Sequence, residues 1–178
     1  MKQISKTACA LALAAGVSLG GTALAAEQMG VTKDQITIAT IQDLSGPLAG
    51  FGKALKFGMQ MRVDEINEQG GIHGRKVKFL AEDSGYNPQK GLLAAQKLVQ
   101  QDKIFAMVGT IGTAVNLATF PVLFPKGVMN LFPLTAARQM YDPLEKLKFS
   151  FAAPYYDQLR NGVKWMAKER GAKKFCAI

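Results

Sequence analysis

The chain of 178 residues is 48% hydrophobic, 20% charged and 8% aromatic. This composition excludes a disordered chain and a bundle of membrane helices, and the length suits one domain with a sizeable core. Lysine and arginine outnumber aspartate and glutamate by 22 to 13, which gives a formal net charge of +9. The basic residues are scattered along the sequence, whereas nucleic-acid-binding domains concentrate them on one face. We therefore expect no nucleic-acid partner.

Residues 1–25 have the organisation of a secretory signal peptide. Lys2 and Lys6 make the start positive, an uncharged apolar stretch follows, and residues 23–25 (Ala-Leu-Ala) form the small-x-small pattern that signal peptidase cleaves. The apolar stretch is short and rich in alanine and glycine, unlike the roughly 20 strongly apolar residues of a membrane-spanning helix. We predict export with Ala26 as the mature N-terminus. Cys176 would then be the only cysteine, so no disulfide would form within the chain.

Strand-like and helix-like segments alternate after the signal. The pattern predicts strands at residues 35–42, 75–82, 104–108 and 128–132, with helices at residues 52–69, 87–101 and 113–124 between them. The first strand is apolar on both faces, which is typical of a central parallel strand, whereas the second alternates and suggests an edge. Short strand–helix–strand connections give right-handed crossovers and a parallel sheet that helices cover on both sides. The sequence therefore predicts an α/β fold with a doubly wound parallel sheet.

The pattern changes beyond residue 143. It predicts a short extended segment at residues 148–152, a helix at residues 156–170 with an apolar face, and a new strand from Phe175 in which Cys176 is a buried core residue. A buried strand without a partner would leave its backbone groups unbonded, so we expect a longer protein. The predicted organisation is a signal peptide (1–25), a ligand-binding lobe (26–152) and the start of a second lobe (153–178).

Two loops are candidates for a ligand site. In open parallel sheets, ligands bind beyond the carboxyl ends of the strands where the strand order reverses. If the first strand is central, the loops there are residues 43–52 and 109–113, both rich in glycine and hydroxyl residues. Thr113 is predicted to begin the third helix, where a hydroxyl and free backbone amides suit an anion. Neither loop has a phosphate-binding fingerprint, which leaves a carboxylate. The alternative is that Thr113 only caps the helix and the glycines only turn the chain.

Four segments, in this order and spacing, resemble the periplasmic binding proteins of the Leu/Ile/Val-binding type, which are extracytoplasmic receptors of ABC importers. They are SGPLAGFG (45–52), INEQGGIHGRKV (66–77), EDSGYNPQK (82–90) and VGTIGT (108–113). The resemblance extends over residues 35–178 and implies a type I periplasmic binding fold, whose two Rossmann-like lobes close on a solute. It also implies a full chain roughly twice as long, a periplasmic location, an ABC permease as partner, no cofactor, and a monomer when full length.

The resemblance implies several site residues as well. Thr113 corresponds to the hydroxyl residue that binds the ligand carboxylate, and Phe51 to the aromatic residue that covers the ligand side chain. The segment FPLTAARQ (132–139) corresponds to a loop whose carbonyl and threonine bind the ammonium and the carboxylate. There Leu134 takes the carbonyl position and Ala136 the threonine position. Thr135 lies one residue earlier, and a shift by one residue would restore the hydroxyl.

Ser45 in the first loop and Tyr155 at the lobe junction complete the candidate ligand-binding residues. Tyr155 would line a pocket for a flat ligand or pack on the surface. The sequence lacks a matched nucleophile, base and orienting group, so we expect a protein that is not an enzyme. The leading hypothesis is a receptor for a small carboxylate-bearing or amide solute, such as an apolar amino acid or an aromatic carboxylate. The alternatives are an extracytoplasmic ligand-sensing receptor on the same fold and an exported α/β enzyme.

Overall fold

Strands and helices alternate along the chain in the computed structural model, which describes residues 28–176. In chain order they are β1 (Gln35–Gln42), α1 (Ala49–Glu68), β2 (Lys76–Asp83), α2 (Pro88–Gln100), β3 (Ala106–Val108), α3 (Thr113–Leu123), β4 (Met129–Leu131), β5 (Lys148–Phe149) and α4 (Tyr155–Arg170). The predicted signal peptide at residues 1–25 lies outside the described residues. Within residues 28–176, no helix has the length and apolar character needed to cross a membrane.

The five strands form one parallel sheet in the order β2-β1-β3-β4-β5. β1 lies between β2 and β3, and β2 forms an edge, so the central and edge positions predicted from hydropathy are confirmed. The strand order reverses between β1 and β3, because the chain returns from β2 across β1 before it forms β3. The loops that follow β1 and β3 therefore leave the same carboxyl edge, on either side of the switch point.

The main core lies between the sheet and the helices α2 and α3. Ile41 of β1 and Met107 of β3 are fully buried there, packed with Leu98 of α2 and Val115 of α3. β3 begins later than predicted because the Ile104 amide donates to the Leu98 carbonyl at the end of α2 instead of to a strand. α1 contacts β1 and β2 but contributes nothing to this core cluster. The two faces of the sheet are thus covered unequally.

An apolar groove lies between α1 and the β3–β4 side of the sheet. We call it the α1 groove; it is lined by Leu55, Met59, Phe132, Leu134 and Phe151, together with the backbone at residues 108–109, and encloses about 440 Å³. The rings of Phe132 and Phe151 meet edge to face with centroids 6.5 Å apart, and both remain more than half exposed. Large apolar side chains therefore face solvent along this groove.

The C-terminal part of the chain differs from the prediction. α4 forms, but its apolar residues Leu159, Val163 and Met166 are exposed rather than packed. Phe175 and Cys176 belong to no strand, and Cys176 is exposed, so the predictions of a strand from residue 175 and of a buried cysteine are wrong. A strand needs a neighbour to bond its backbone groups, and none of the five strands of the described residues pairs with residues 175–176.

Candidate functional site

The loop after β1 is organised around a buried carboxylate. Asp43 follows β1 directly and is fully buried. It accepts hydrogen bonds from the backbone amides of Gly46 and Leu48, at 2.5 and 2.6 Å. The Leu48 carbonyl then accepts the Gly52 amide, which opens α1 three residues earlier than the sequence pattern predicted. The carboxylate therefore fixes the direction in which the chain enters α1.

A second carboxylate, Asp83 at the end of β2, fixes the same loop from the neighbouring strand. It accepts the Leu44 amide at 2.8 Å and the Ser45 hydroxyl at 2.5 Å. Burial acts to raise the pKa of Asp83, but the hydrogen bonds from Ser45, Leu44 and Gly85 and the charge of Lys90 outweigh it and hold the pKa below its usual range. We expected the Ser45 hydroxyl to contact a ligand, and in this structure it donates to Asp83.

The loop after β3 leads into the N-terminus of α3. Gly112 is the capping residue, with φ of 91°, and no side chain caps the helix. The backbone amides of residues 113–115 have no acceptor within an α-helix, and they carry the positive end of the helix dipole. Thr113 is the first helical residue, as the sequence predicted. This end of α3 offers hydrogen-bond donors at the switch point of the sheet.

Thr113 is joined there by Thr135 from the loop after β4. The two hydroxyl oxygens lie 2.6 Å apart. Thr135 also accepts the Ala137 amide at 3.3 Å, and either hydroxyl can donate to the other. One hydroxyl hydrogen of the pair therefore stays available to an external acceptor. The sequence left two positions open for the family threonine, Ala136 or, after a shift by one residue, Thr135. In the structure the hydroxyl beside Thr113 is that of Thr135.

The remaining candidate site residues form two pairs, Phe51 with Leu134 and Ala136 with Tyr155. Phe51, on the first turn of α1, is 69% exposed and shares an apolar cavity of about 510 Å³ with Leu134. The Leu134 carbonyl, expected to face an ammonium group, accepts the Gly112 amide at 3.3 Å. The Ala136 carbonyl accepts the amide of Tyr155 at 2.9 Å, which ties the loop after β4 to the start of α4.

Tyr86 is a residue that the sequence analysis missed. It lies at the cleft, by which we mean the space at the carboxyl edge of the sheet beside the N-terminus of α3. Its backbone has φ of 61°, which is unusual for a residue other than glycine. Its ring lies against Gly112, since a Cβ atom on Gly112 would be 2.7 Å from Tyr86 Cε2. The available signal was the turn at residues 85–88, which places Tyr86 just before α2, the helix that packs on α3. Tyr86 thus borders the N-terminus of α3.

Comparison with known proteins identifies the family. The family model described as periplasmic binding protein matches residues 35–178. The chain belongs to this family. The Leu/Ile/Val-binding protein BraC3 of Rhizobium johnstonii is 43% identical over 103 residues, which are 57% of this chain and 28% of that protein. The Leu/Ile/Val-binding protein of Escherichia coli K12 is 27% identical over 121 residues, which are 68% of this chain and 32% of that protein. The matched part spans less than a third of these periplasmic binding proteins.

Solved structures of the same family share the fold. A possible leucine/isoleucine/valine-binding protein from Rhodopirellula baltica superimposes with a TM-score of 0.71 at 20% identity, over 76% of this chain and 36% of that chain. The branched-chain amino acid transporter substrate-binding protein LivJ of Streptococcus pneumoniae, in complex with isoleucine, gives a TM-score of 0.53 at 31% identity, over 55% of this chain and 28% of that chain. The predicted family and the predicted periplasmic binding fold are confirmed.

Proposed function

We propose that this chain forms the first ligand-binding part of an extracytoplasmic solute receptor of an ABC importer, and that its solute carries a carboxylate. The observation that carries the proposal is the pair of hydroxyls, Thr113 and Thr135, 2.6 Å apart at the uncapped N-terminus of α3. A carboxylate has two oxygens, which accept hydrogen bonds from the remaining hydroxyl hydrogen and from the backbone amides at the start of α3, and the positive end of the helix dipole stabilises its charge.

The apolar cavity beside this site supports an apolar solute. Phe51 and Leu134 line it next to the loop that carries Thr135. The relatives named as Leu/Ile/Val-binding proteins, and the relative solved with isoleucine, support a branched-chain or other apolar amino acid. The Leu134 carbonyl accepts the Gly112 amide and keeps a second lone pair, so this bond does not exclude an ammonium group, and both amino acids and aromatic carboxylates stay within the proposed ligand class.

The proposed mechanism is hinge closure of two lobes on the solute. The lobe formed by residues 26–152 binds the carboxylate first, and a second lobe beginning at residue 153 closes over it. Cleavage of the signal peptide at residue 25 delivers a monomer to the periplasm, where the closed form docks on the membrane subunits of an ABC permease. The relatives are named as binding proteins, which favours binding over turnover.

Replacing Thr113 tests the proposal. A thermal-shift screen of the full-length protein against amino acids, amides and aromatic acids selects the solute, since a bound ligand raises the melting temperature. Calorimetry with that solute should then show about tenfold weaker binding for Thr113→Val, because valine keeps the shape and removes one hydrogen bond to a charged group. Thr32→Val, at the opposite end of the sheet, is the matched control and should bind as the wild type does. Equal affinity for Thr113→Val would remove this hydroxyl from the site.

A further inference from the structure

Asn116 bonds the loop after β3 from inside the protein. It lies in the first turn of α3 and is fully buried. Its Nδ2 donates to the carbonyl oxygens of Thr110 at 2.9 Å and of Gly112 at 2.8 Å. Its Oδ1 accepts Nδ2 of Asn130 from β4 at 3.2 Å, which sets the orientation of the amide. One buried side chain thus holds two peptide groups of the loop.

Gln42 also bonds the loop after β3 with a buried side-chain amide, from the end of β1. It is also fully buried, and its Nε2 donates to the Gly109 carbonyl at 2.8 Å and to the Thr40 hydroxyl at 2.6 Å. The carbonyl oxygens of Gly109, Thr110 and Gly112 therefore all accept a bond from a buried side-chain amide. Buried carbonyls gain from such partners, and here the side-chain bonds add to backbone bonds, since the Thr110 carbonyl also accepts the Leu134 amide and the Gly112 carbonyl the Asn116 backbone amide.

The direction of these peptide groups controls the charge that the loop presents to the cleft. Each carbonyl oxygen carries partial negative charge, and each peptide N–H carries partial positive charge. With the carbonyls turned inward, the surface at the start of α3 consists of the free amides of residues 113–115 and the Thr113 hydroxyl. Gly109 and Gly112, with φ of 63° and 91°, supply the backbone conformation that this orientation requires.

We propose that Asn116 is a positioning residue that makes the site prefer a carboxylate to the corresponding neutral amide. The inference rests on the proposed function and goes further, since it assigns the discrimination to a residue that touches no ligand. Without the Asn116 side chain, the Thr110 carbonyl keeps only the Leu134 amide and the Gly112 carbonyl only the backbone amide of residue 116, so both peptide groups are held less firmly. The amides at the start of α3 are then held less firmly toward the ligand, which weakens a carboxylate more than a neutral amide because the carboxylate carries the full negative charge.

The test compares L-leucine with L-leucinamide, which differ only in the carboxylate, in the full-length protein. By calorimetry, Asn116→Ala should weaken leucine binding about tenfold, the scale of one lost charge-assisted hydrogen bond, and should change leucinamide binding by less than about threefold. Asn67→Ala is the matched control, because Asn67 also bonds a backbone peptide, at Val77, but far from the cleft. It should leave the preference for leucine unchanged. An equal loss of affinity for both ligands, or no loss of affinity for either, would overturn the proposal.

Amide hydrogen exchange separates this inference from the proposed function. In the ligand-free protein, Asn116→Ala should speed exchange at the Ile111 and Gly112 amides, which bond Ile41 and Leu134, and Asn67→Ala should not. If the wild type binds neither leucine nor leucinamide, the proposed amino-acid ligand is wrong. Hydrogen exchange still tests the positioning role of Asn116, and unchanged exchange in Asn116→Ala would overturn that role. If circular dichroism shows that Asn116→Ala does not fold, Asn116→Thr replaces it in both measurements. The same outcomes then support or overturn the proposal.

Discussion

At the scale of single residues, Gly112 combines two constraints. Its φ of 91° is a conformation that residues with a side chain rarely adopt, and the Tyr86 ring occupies the space that a Cβ atom would need. The sequence indicated a turn at this position from glycine alone. It gave no sign of the aromatic ring, because the ring comes from a loop 26 residues earlier in the chain.

Gly112→Ala should lower the free energy of unfolding by about 2–4 kcal/mol, through backbone strain and a clash with Tyr86. Gly127→Ala is the matched control, because Gly127 has φ of 71° but nothing within 4 Å of the added Cβ. Its cost should be about 1 kcal/mol, the penalty for the left-handed conformation. Urea denaturation measures both.

The contribution of the ring can be isolated with a second substitution. Tyr86→Ala in the Gly112→Ala background should recover part of the lost stability, because it removes the clash and leaves the backbone strain. Equal costs for the two glycine variants, or no recovery in the double variant, would show that the ring imposes no constraint.

At the scale of elements, two carboxylates at the ends of neighbouring strands determine the loop before α1. Asp43 and Asp83 together bond amides of the loop and the Ser45 hydroxyl. Hydropathy predicted both strands well, since alternation and burial are encoded within each strand. The start of α1 was predicted three residues late, because a carboxylate that precedes the helix sets it and hydropathy carries no such signal.

Asp83→Asn tests this loop through pH. The pKa of Asp83 is lower in the folded protein than in the unfolded chain, so the carboxylate contributes stability above the unfolded pKa of about 4, and the contribution is lost as the pH falls through the folded pKa. The variant should therefore be less stable than the wild type near pH 7, by about 1 kcal/mol or less because the group is largely exposed. The difference should shrink below about pH 4, as chemical denaturation across that range would show.

Asp64→Asn is the control for this measurement, since Asp64 lies on the exposed side of α1 and bonds only the Gln60 side chain among the hydrogen bonds described. It should cost less stability than Asp83→Asn at pH 7, because no backbone amide of the loop bonds this carboxylate. If the difference in the free energy of unfolding between the wild type and Asp83→Asn stays constant from pH 7 to acid pH, the carboxylate does not have the proposed role in the loop.

At the scale of the whole molecule, the α1 groove leaves part of one face of the sheet uncovered among residues 28–176. Phe132 and Phe151 face solvent there, and a contiguous apolar surface of this kind promotes association in water. The predicted helices on both sides of the sheet are present, but their coverage is unequal, because α1 leaves the β3–β4 side open.

The 178-residue chain should therefore self-associate with increasing concentration, and Phe151→Ser should reduce the association, because it removes exposed apolar area from the groove. Sedimentation velocity measures the effect. Leu144→Ser is the matched control, since Leu144 is 95% exposed but lies outside the groove. Equal effects of the two substitutions, or a chain that stays monomeric throughout, would show that the groove drives no association.

The sequence alone determined the α/β class, the central position of β1, the two loops at the switch point and the start of α3 at Thr113. These features follow from hydropathy and turn residues within short segments, so local patterns suffice to specify them. Only the tertiary structure decided that Thr135 meets Thr113, that Ser45 bonds Asp83 and that Cys176 is exposed. Each of these depends on contacts between residues distant in the chain, or on which strands of residues 28–176 pair in the sheet, and both are set by how the elements pack.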